Sequence, residues 1–160
     1  MRLVFMGTPD FSRISLARIF ASDHTVMGVV TQPDRPQGRG LKIVASPVKS
    51  LALEHKLPVF QPTRLPDSKL KTFLEESRVD CIVVVAFGLK IPSELLQYPP
   101  FGCINLHASL LPFYRGANPI QWAIINGEKE TGVTTMRMDE GWDTGDILQT
   151  RSLKIKDEDN

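Results

Sequence analysis

The run Leu3-Val4-Phe5-Met6-Gly7-Thr8-Pro9-Asp10-Phe11 decides how the rest of the chain reads. Four apolar residues stop at a glycine, as a short buried strand does. Gly7 to Asp10 then forms a turn able to cap a helix over Phe11 to Ala21. A strand, a tight turn and a helix in that order open a parallel α/β sheet. The G-x-G-x-x-G dinucleotide fingerprint is absent. The turn is therefore either a plain connection or a helix N-terminus that receives an anion or a substrate end.

The pattern continues outward from that opening. Thr25 to Thr31 is β-branched and apolar, a second strand. Cys81 to Ala86 is apolar throughout, as a central strand covered on both faces must be. Cys103 to His107 is the next strand. Ser46-Pro47 reads as a helix N-cap followed by proline at the first helical position, with the helix reaching about His55. Val59 to Gln61 suits a short edge strand, Asp67 to Glu76 an amphipathic helix, and Ser93 to Gln97 a short helix. Asn118 to Asn126 is helical, with Trp122 and Ile125 three apart. Thr131 to Met138 and Ile147 to Ile155 both alternate, which predicts an antiparallel element near the C-terminal end. The fold class expected is α/β, a mostly parallel sheet flanked by helices.

One segment breaks the pattern. From Gln32 to Pro47 come three prolines, two glycines, and the cations Arg35, Arg39 and Lys42 against the single acid Asp34. A loop this long is commonly functional. It fits a phosphate or RNA contact and equally a solvated charged loop.

Bulk composition bounds the class. The chain has 160 residues, 42% hydrophobic and 23% charged, with a formal net charge of +1. These values describe a globular domain with a real core and no global preference for nucleic acid, so any RNA contact must be a local patch. Cys81 and Cys103 sit in apolar strands, which predicts reduced core thiols and a cytoplasmic protein. The N-terminal apolar run is too short for a signal peptide, and no stretch approaches the roughly 18–20 apolar residues of a membrane span.

Residues Gly102 to Gly145 carry the chemistry. Asn105 and His107 are two apart, so on a strand they share a face, with Cα atoms roughly 6–7 Å apart. Cys103 shares that face but lies further back. Prolines 112 and 119 and Gly116 punctuate the loop that follows, and Asp143 is framed by Gly141 and Gly145. An amide, an imidazole and a carboxylate suit a site that binds a carbonyl and handles a proton. No metal is expected: Cys103 and His107 would be about 13 Å apart along a strand, and the twelfth position from Asp139 is Thr150, not the acid an EF-hand requires.

Asn105-x-His107, then Ser109-Leu110-Leu111-Pro112, then Arg115-Gly116, then Asp143-Thr144-Gly145 form an ordered set that closely resembles the folate-dependent formyltransferase family. In that family an Asn, a His and an Asp 36 residues beyond the His make the active site, and Asp143 lies 36 residues after His107. The resemblance extends to Met6 through Phe11, to the basic loop Gln32 to Gly40, and to Asp139 through Leu148. It implies a Rossmann-like sheet and catalytic roles for Asn105, His107 and Asp143. It implies a 10-formyltetrahydrofolate pocket at Phe87, Gly88, Leu89, Ile91, Ser109, Leu110, Leu111, Pro112, Asp139 and Gly141. It further implies contacts to the acceptor, initiator methionyl-tRNA, from Gly7, Thr8, Pro9, Arg35, Arg39 and Lys42. On the same basis residues 1–160 correspond to a catalytic domain without the tRNA-binding domain that follows it in the family, acting as a monomer away from membranes. Three other readings share parts of the pattern: a sugar-nucleotide N-formyltransferase, a 10-formyltetrahydrofolate hydrolase, and a tRNA-binding module without catalysis.

Overall fold

The computed structural model of the chain describes residues 1–37 and 41–159, with nothing assigned to the side chain of Gln37. The chain divides into two compact units, Met1–Cys103 and Ile104–Asn160.

The first unit runs β1 (Arg2–Gly7), α1 (Asp10–Phe20), β2 (Thr25–Val30), β3 (Arg35–Gln37), β4 (Lys42–Val44), α2 (Pro47–Glu54), β5 (Val59–Phe60), α3 (Ser68–Ser77), β6 (Cys81–Val85) and α4 (Ser93–Leu96). Strand β1 pairs in parallel with both β2 and β6, and β2 with β5. That is the parallel sheet expected from the opening run, with Val59–Phe60 at its edge. Val4, Phe5, Met6, Leu16, Val29, Val30, Ile82 and Val85 are fully buried and form its core. Helix α1 packs on β1, β2 and β6. The buried Ser12 hydroxyl donates to the Val85 carbonyl (2.6 Å), tying this helix to the central strand.

The helix starts follow the local signals. Ser46 caps α2, accepting from Lys49 N–H (3.0 Å), with Pro47 just inside the helix. Asp67 caps α3, accepting from Leu70 N–H (2.9 Å). The expected cap of α1 differs: Pro9 stands at the N-cap and no side chain caps the helix. Asp10 instead adds negative charge in the first turn, where the helix dipole favours it.

The segment 32–47, expected to lack regular structure, contains the antiparallel hairpin β3–β4, with Arg35 opposite Val44 and Pro36 opposite Ile43. Strands of three residues containing a proline leave too little periodicity to read. The base of the hairpin is held by a hydroxyl pair, Thr31 and Ser46 (2.8 Å), and by Lys49, which donates to Asp34 Oδ2 (2.5 Å) and Gln61 Oε1 (2.8 Å).

The second unit begins at Ile104, one residue into β7 (Cys103–His107), and continues with α5 (Pro119–Ile125), β8 (Glu130–Arg137) and β9 (Ile147–Lys154). Here both pairings, β7 with β8 and β8 with β9, are antiparallel, as the C-terminal pattern predicts. Two details depart from expectation. Helix α5 buries Ala123, while Trp122 and Ile125 are exposed. Strand β9 alternates in sequence but is exposed at every position.

Candidate active site

Strand β7 turns Cys103, Asn105 and His107 to its buried face. Cys103 takes no part in the polar cluster: its thiol points at the Leu95 carbonyl (3.5 Å), and burial pushes its pKa up to about 12, so it stays a protonated core thiol. Asn105 and His107, each 7% exposed, meet Asp143. The Asn105 amide donates to Asp143 Oδ1 (3.2 Å), and His107 Nδ1 lies 3.5 Å from Asp143 Oδ2. The three residues that the family resemblance implies therefore converge within one unit.

Asp143 holds a left-handed backbone conformation (φ +52°), which an aspartate tolerates better than most residues. The surrounding loop makes room for it. A Cβ on Gly145 would collide with the Arg137 carbonyl oxygen, so only glycine lets the turn close on the end of β8. Asp139 Oδ1 accepts from Gly141 N–H (3.0 Å) and from the Thr144 hydroxyl (2.7 Å), bracing the same turn.

Residues that spacing did not reveal complete the site. His107 Nε2 lies 2.8 Å from the Tyr114 carbonyl, and Gly116 N–H donates to Asp143 Oδ2 (2.9 Å). Thr134, paired opposite His107 in the sheet, donates to the Ser109 carbonyl (2.7 Å) and accepts from Leu111 N–H (3.1 Å). The buried Ser109 hydroxyl donates to the Phe113 carbonyl (2.6 Å). The loop after β7 is thus folded tightly enough to bring the Tyr114 oxygen back to the imidazole. The Pro and Gly of this stretch signal a turn but not which backbone groups it presents.

Other residues singled out from the sequence cluster in the first unit. Gly7 ends β1 and Thr8 and Pro9 follow it, while Phe87, Gly88, Leu89 and Ile91 follow β6. The Phe87 carbonyl accepts from Gln32 Nε2 (3.2 Å) and from the Thr8 hydroxyl (3.4 Å), and Gln32 N–H donates to Thr8 Oγ1 (3.3 Å). Three parallel strands are therefore laced together at their carboxyl ends, where open α/β sheets bind ligands. Gln32 is a member that composition did not suggest. Phe87 and Ile91 are buried. Arg35 and Lys42 are exposed on the hairpin. Arg39 lies outside the described residues. Leu110, Leu111, Pro112, Asp139 and Gly141 belong to the second unit.

Among the described residues, no three His, Cys, Asp or Glu side chains gather as a metal site, and no helix is long and apolar enough to cross a membrane.

A family model described as formyl transferase matches residues 1–160. The chain belongs to the formyl transferase family. Methionyl-tRNA formyltransferase of Desulforamulus reducens is 56% identical over 155 residues, covering 97% of this chain and 49% of that protein. The protein of the same name from Pelotomaculum thermopropionicum is 54% identical over 159 residues, 99% of this chain and 51% of its own. The chain spans about half the length of these formyl transferase relatives. Among solved structures, phosphoribosylglycinamide formyltransferase from Bacillus halodurans aligns with a TM-score of 0.78 at 25% identity over 100% of this chain and 83% of that one. A formyltetrahydrofolate deformylase from Pseudomonas syringae pv. tomato aligns at 0.76 and 21% identity, over 99% of this chain and 53% of its own, a likeness of fold. The α/β, Rossmann-like class expected from the sequence is the fold that these solved structures share with this chain.

Proposed function

We propose that the protein transfers the formyl group of 10-formyltetrahydrofolate to the amino group of methionine on initiator methionyl-tRNA, and that residues 1–160 supply its catalytic domain. The observation that carries the reaction is the convergence of Asn105, His107 and Asp143. The acceptor is supported by the name of relatives more than half identical to this chain. The folate donor is supported by family membership.

The reaction needs little that this site lacks. A neutral amine attacks the formyl carbon, and negative charge grows on the formyl oxygen. Donors already aimed at that oxygen lower the barrier. The Asn105 amide nitrogen carries two hydrogens and spends one on Asp143, so the other is available. The His107 ring stands on the same strand face, with Nδ1 beside the Asp143 carboxylate that handles the proton. The new carbon–nitrogen bond forms as the bond to folate N10 breaks, and the proton lost by the amine passes through Asp143 to the departing N10. Gly116 N–H and the Asn105 amide hold the Asp143 carboxylate still while this happens.

In the first unit, the laced strand ends at Thr8, Gln32 and Phe87 are the part of the chain suited to hold a flat heterocycle or a substrate end. On the hairpin, Arg35 and Lys42 are suited to tRNA phosphates, as Arg39 is by charge.

The test is an acceptor competition. Labelled 10-formyltetrahydrofolate is offered with methionyl initiator tRNA, with an amino-sugar nucleotide, and with water alone. Label in formylmethionyl-tRNA supports the proposal. Label in the amino sugar, or formate release indifferent to tRNA, would replace it with one of the rival reactions, and tRNA binding unaffected by folate and without transfer would reduce the chain to a binding module.

A further inference from the structure

The His107 ring is held at both nitrogens by groups of different kinds. A backbone carbonyl only accepts, so the 2.8 Å approach of Nε2 to the Tyr114 oxygen puts a hydrogen on Nε2. On the opposite edge Nδ1 faces Asp143 Oδ2 at 3.5 Å, a much longer approach, so the fixed hydrogen is the one on Nε2 and a proton shared with the carboxylate sits on this edge. We propose that Tyr114 is a positioning residue: its main-chain carbonyl holds His107 as the Nε2–H tautomer and so assigns the proton that the reaction moves to the Nδ1 edge, beside Asp143.

Any residue has a carbonyl, so the tyrosine side chain has to account for why this one is held in place. Tyr114 sits in the left-handed region (φ +56°), which costs a non-glycine residue free energy and persists only when neighbours enforce it. The enforcement comes from both ends of the loop. At one end the Ser109 hydroxyl grips the Phe113 carbonyl, while Thr134 on β8 grips Ser109 and Leu111. At the other, the Tyr114 phenol donates to Glu128 Oε1 (2.6 Å) and accepts from Asn126 Nδ2 (3.1 Å), anchoring it to the segment just after α5. The phenol is therefore a strut whose load is the direction of its own carbonyl. Without it the left-handed turn relaxes, the carbonyl drifts, and the ring can place its single proton on either nitrogen. The tautomer then becomes a mixture, and only a fraction of molecules offers Nδ1 to the proton shared with Asp143.

The catalytic meaning of this inference rests on the proposed formyl transfer, but its first test needs no turnover. In 15N-labelled protein, long-range 1H–15N correlations of the His107 ring are recorded where the ring is neutral, with His107→Gln used only to assign the signals among the three histidines. The expected pattern is a protonated Nε2 and a pyridine-like Nδ1. In Tyr114→Phe both nitrogens should move toward averaged shifts while the rest of the spectrum stays dispersed. Glu128→Gln, at the exposed end of the strut, should move them in the same direction by less, and serves if Tyr114→Phe does not fold. A predominant Nδ1–H tautomer in the wild type, or an unchanged ring in both folded variants, would overturn the proposal.

Kinetics add a second reading. Tyr114→Phe should lower kcat for formyl transfer by about tenfold with KM for the donor nearly unchanged, the mark of lost alignment and not lost binding. A rise in KM at constant kcat counts against positioning. If the wild type shows the Nε2–H spectrum and transfers no formyl group, the proposed reaction fails and the tautomer assignment stands.

Discussion

Strands β1 and β7 bury their residues by opposite rules. From Leu3 to Gly7, β1 is buried at five consecutive positions and places no polar side chain inside. Strand β7 alternates, and its buried positions include Asn105 and His107, while Ile104 and Leu106 stay partly exposed. Hydrophobicity alone would turn β7 the other way round. Burying an amide and an imidazole is costly unless each finds partners, and here Asp143 and the Tyr114 carbonyl provide them. The difference separates a strand that holds the fold from one that carries the proposed site, since local rules are commonly broken at functional positions.

That contrast can be broken by mutation. Phe5→Ala in β1 should cost about 3–5 kcal/mol of stability, the usual loss for emptying a buried aromatic site, whereas Leu148→Ala on the exposed β9 should stay within about 0.5 kcal/mol. Urea unfolding of both would read this, and comparable losses would deny the difference between covered and open strands. The reverse holds for β7. His107→Ala, Asn105→Ala and Asp143→Ala should each reduce formyl transfer by roughly 10²–10³, with much smaller changes in folate binding. Near-normal transfer by His107→Ala would remove the chemistry from β7.

A smaller effect sharpens the comparison at the support of the site. Thr134→Val leaves the Ser109 carbonyl and Leu111 N–H without their partner, and should cost about 1–3 kcal/mol, measured by thermal or urea unfolding. An unchanged midpoint would mean that the loop after His107 does not depend on β8.

The hairpin base should show its weight only in the pH dependence. Hydrogen bonds from Lys49 and then from Gln61 lower the Asp34 pKa below its ordinary 3.8. A lowered folded pKa stabilises the protein above the unfolded value, and the gain disappears as pH falls through the folded one. Asp34→Asn should therefore melt below the wild type at neutral pH, and the two curves should converge in acid below 3.8. A gap that stays constant with pH would rule out the ionised pair as its cause. Least of all, neutralising Arg35 or Lys42 should make the salt dependence of tRNA binding shallower by about one unit of slope or less. Unchanged affinity and slope would leave these cations as solvated charges.

Much of the fold was legible because its signals are local. The Ser46-Pro47 and Asp67 starts act over three or four residues, and the apolar runs of β1, β2 and β6 need no distant partner to be recognised. The hairpin was not legible, since three-residue strands carry no measurable period. Nor was the exposure of Trp122 and Ile125, because a spacing of three states that two residues share a helix face and not what lies against it.

The sequence by itself determined the parallel α/β opening, the order of the elements, the residue types of the site and the spacing of Asn105, His107 and Asp143. Tertiary structure alone decided which face of β7 turns inward and which backbone groups complete the cluster. Gly116 N–H and the Asn105 amide reach Asp143 across 27 and 38 positions of chain. The Tyr114 carbonyl is nearer in sequence, yet the loop that carries it is held by Thr134 on another strand, which bonds Ser109 and Leu111. The physical reason is range. Propensity and periodicity act between near neighbours, whereas a buried polar group is tolerated only once the whole chain path has delivered its partner.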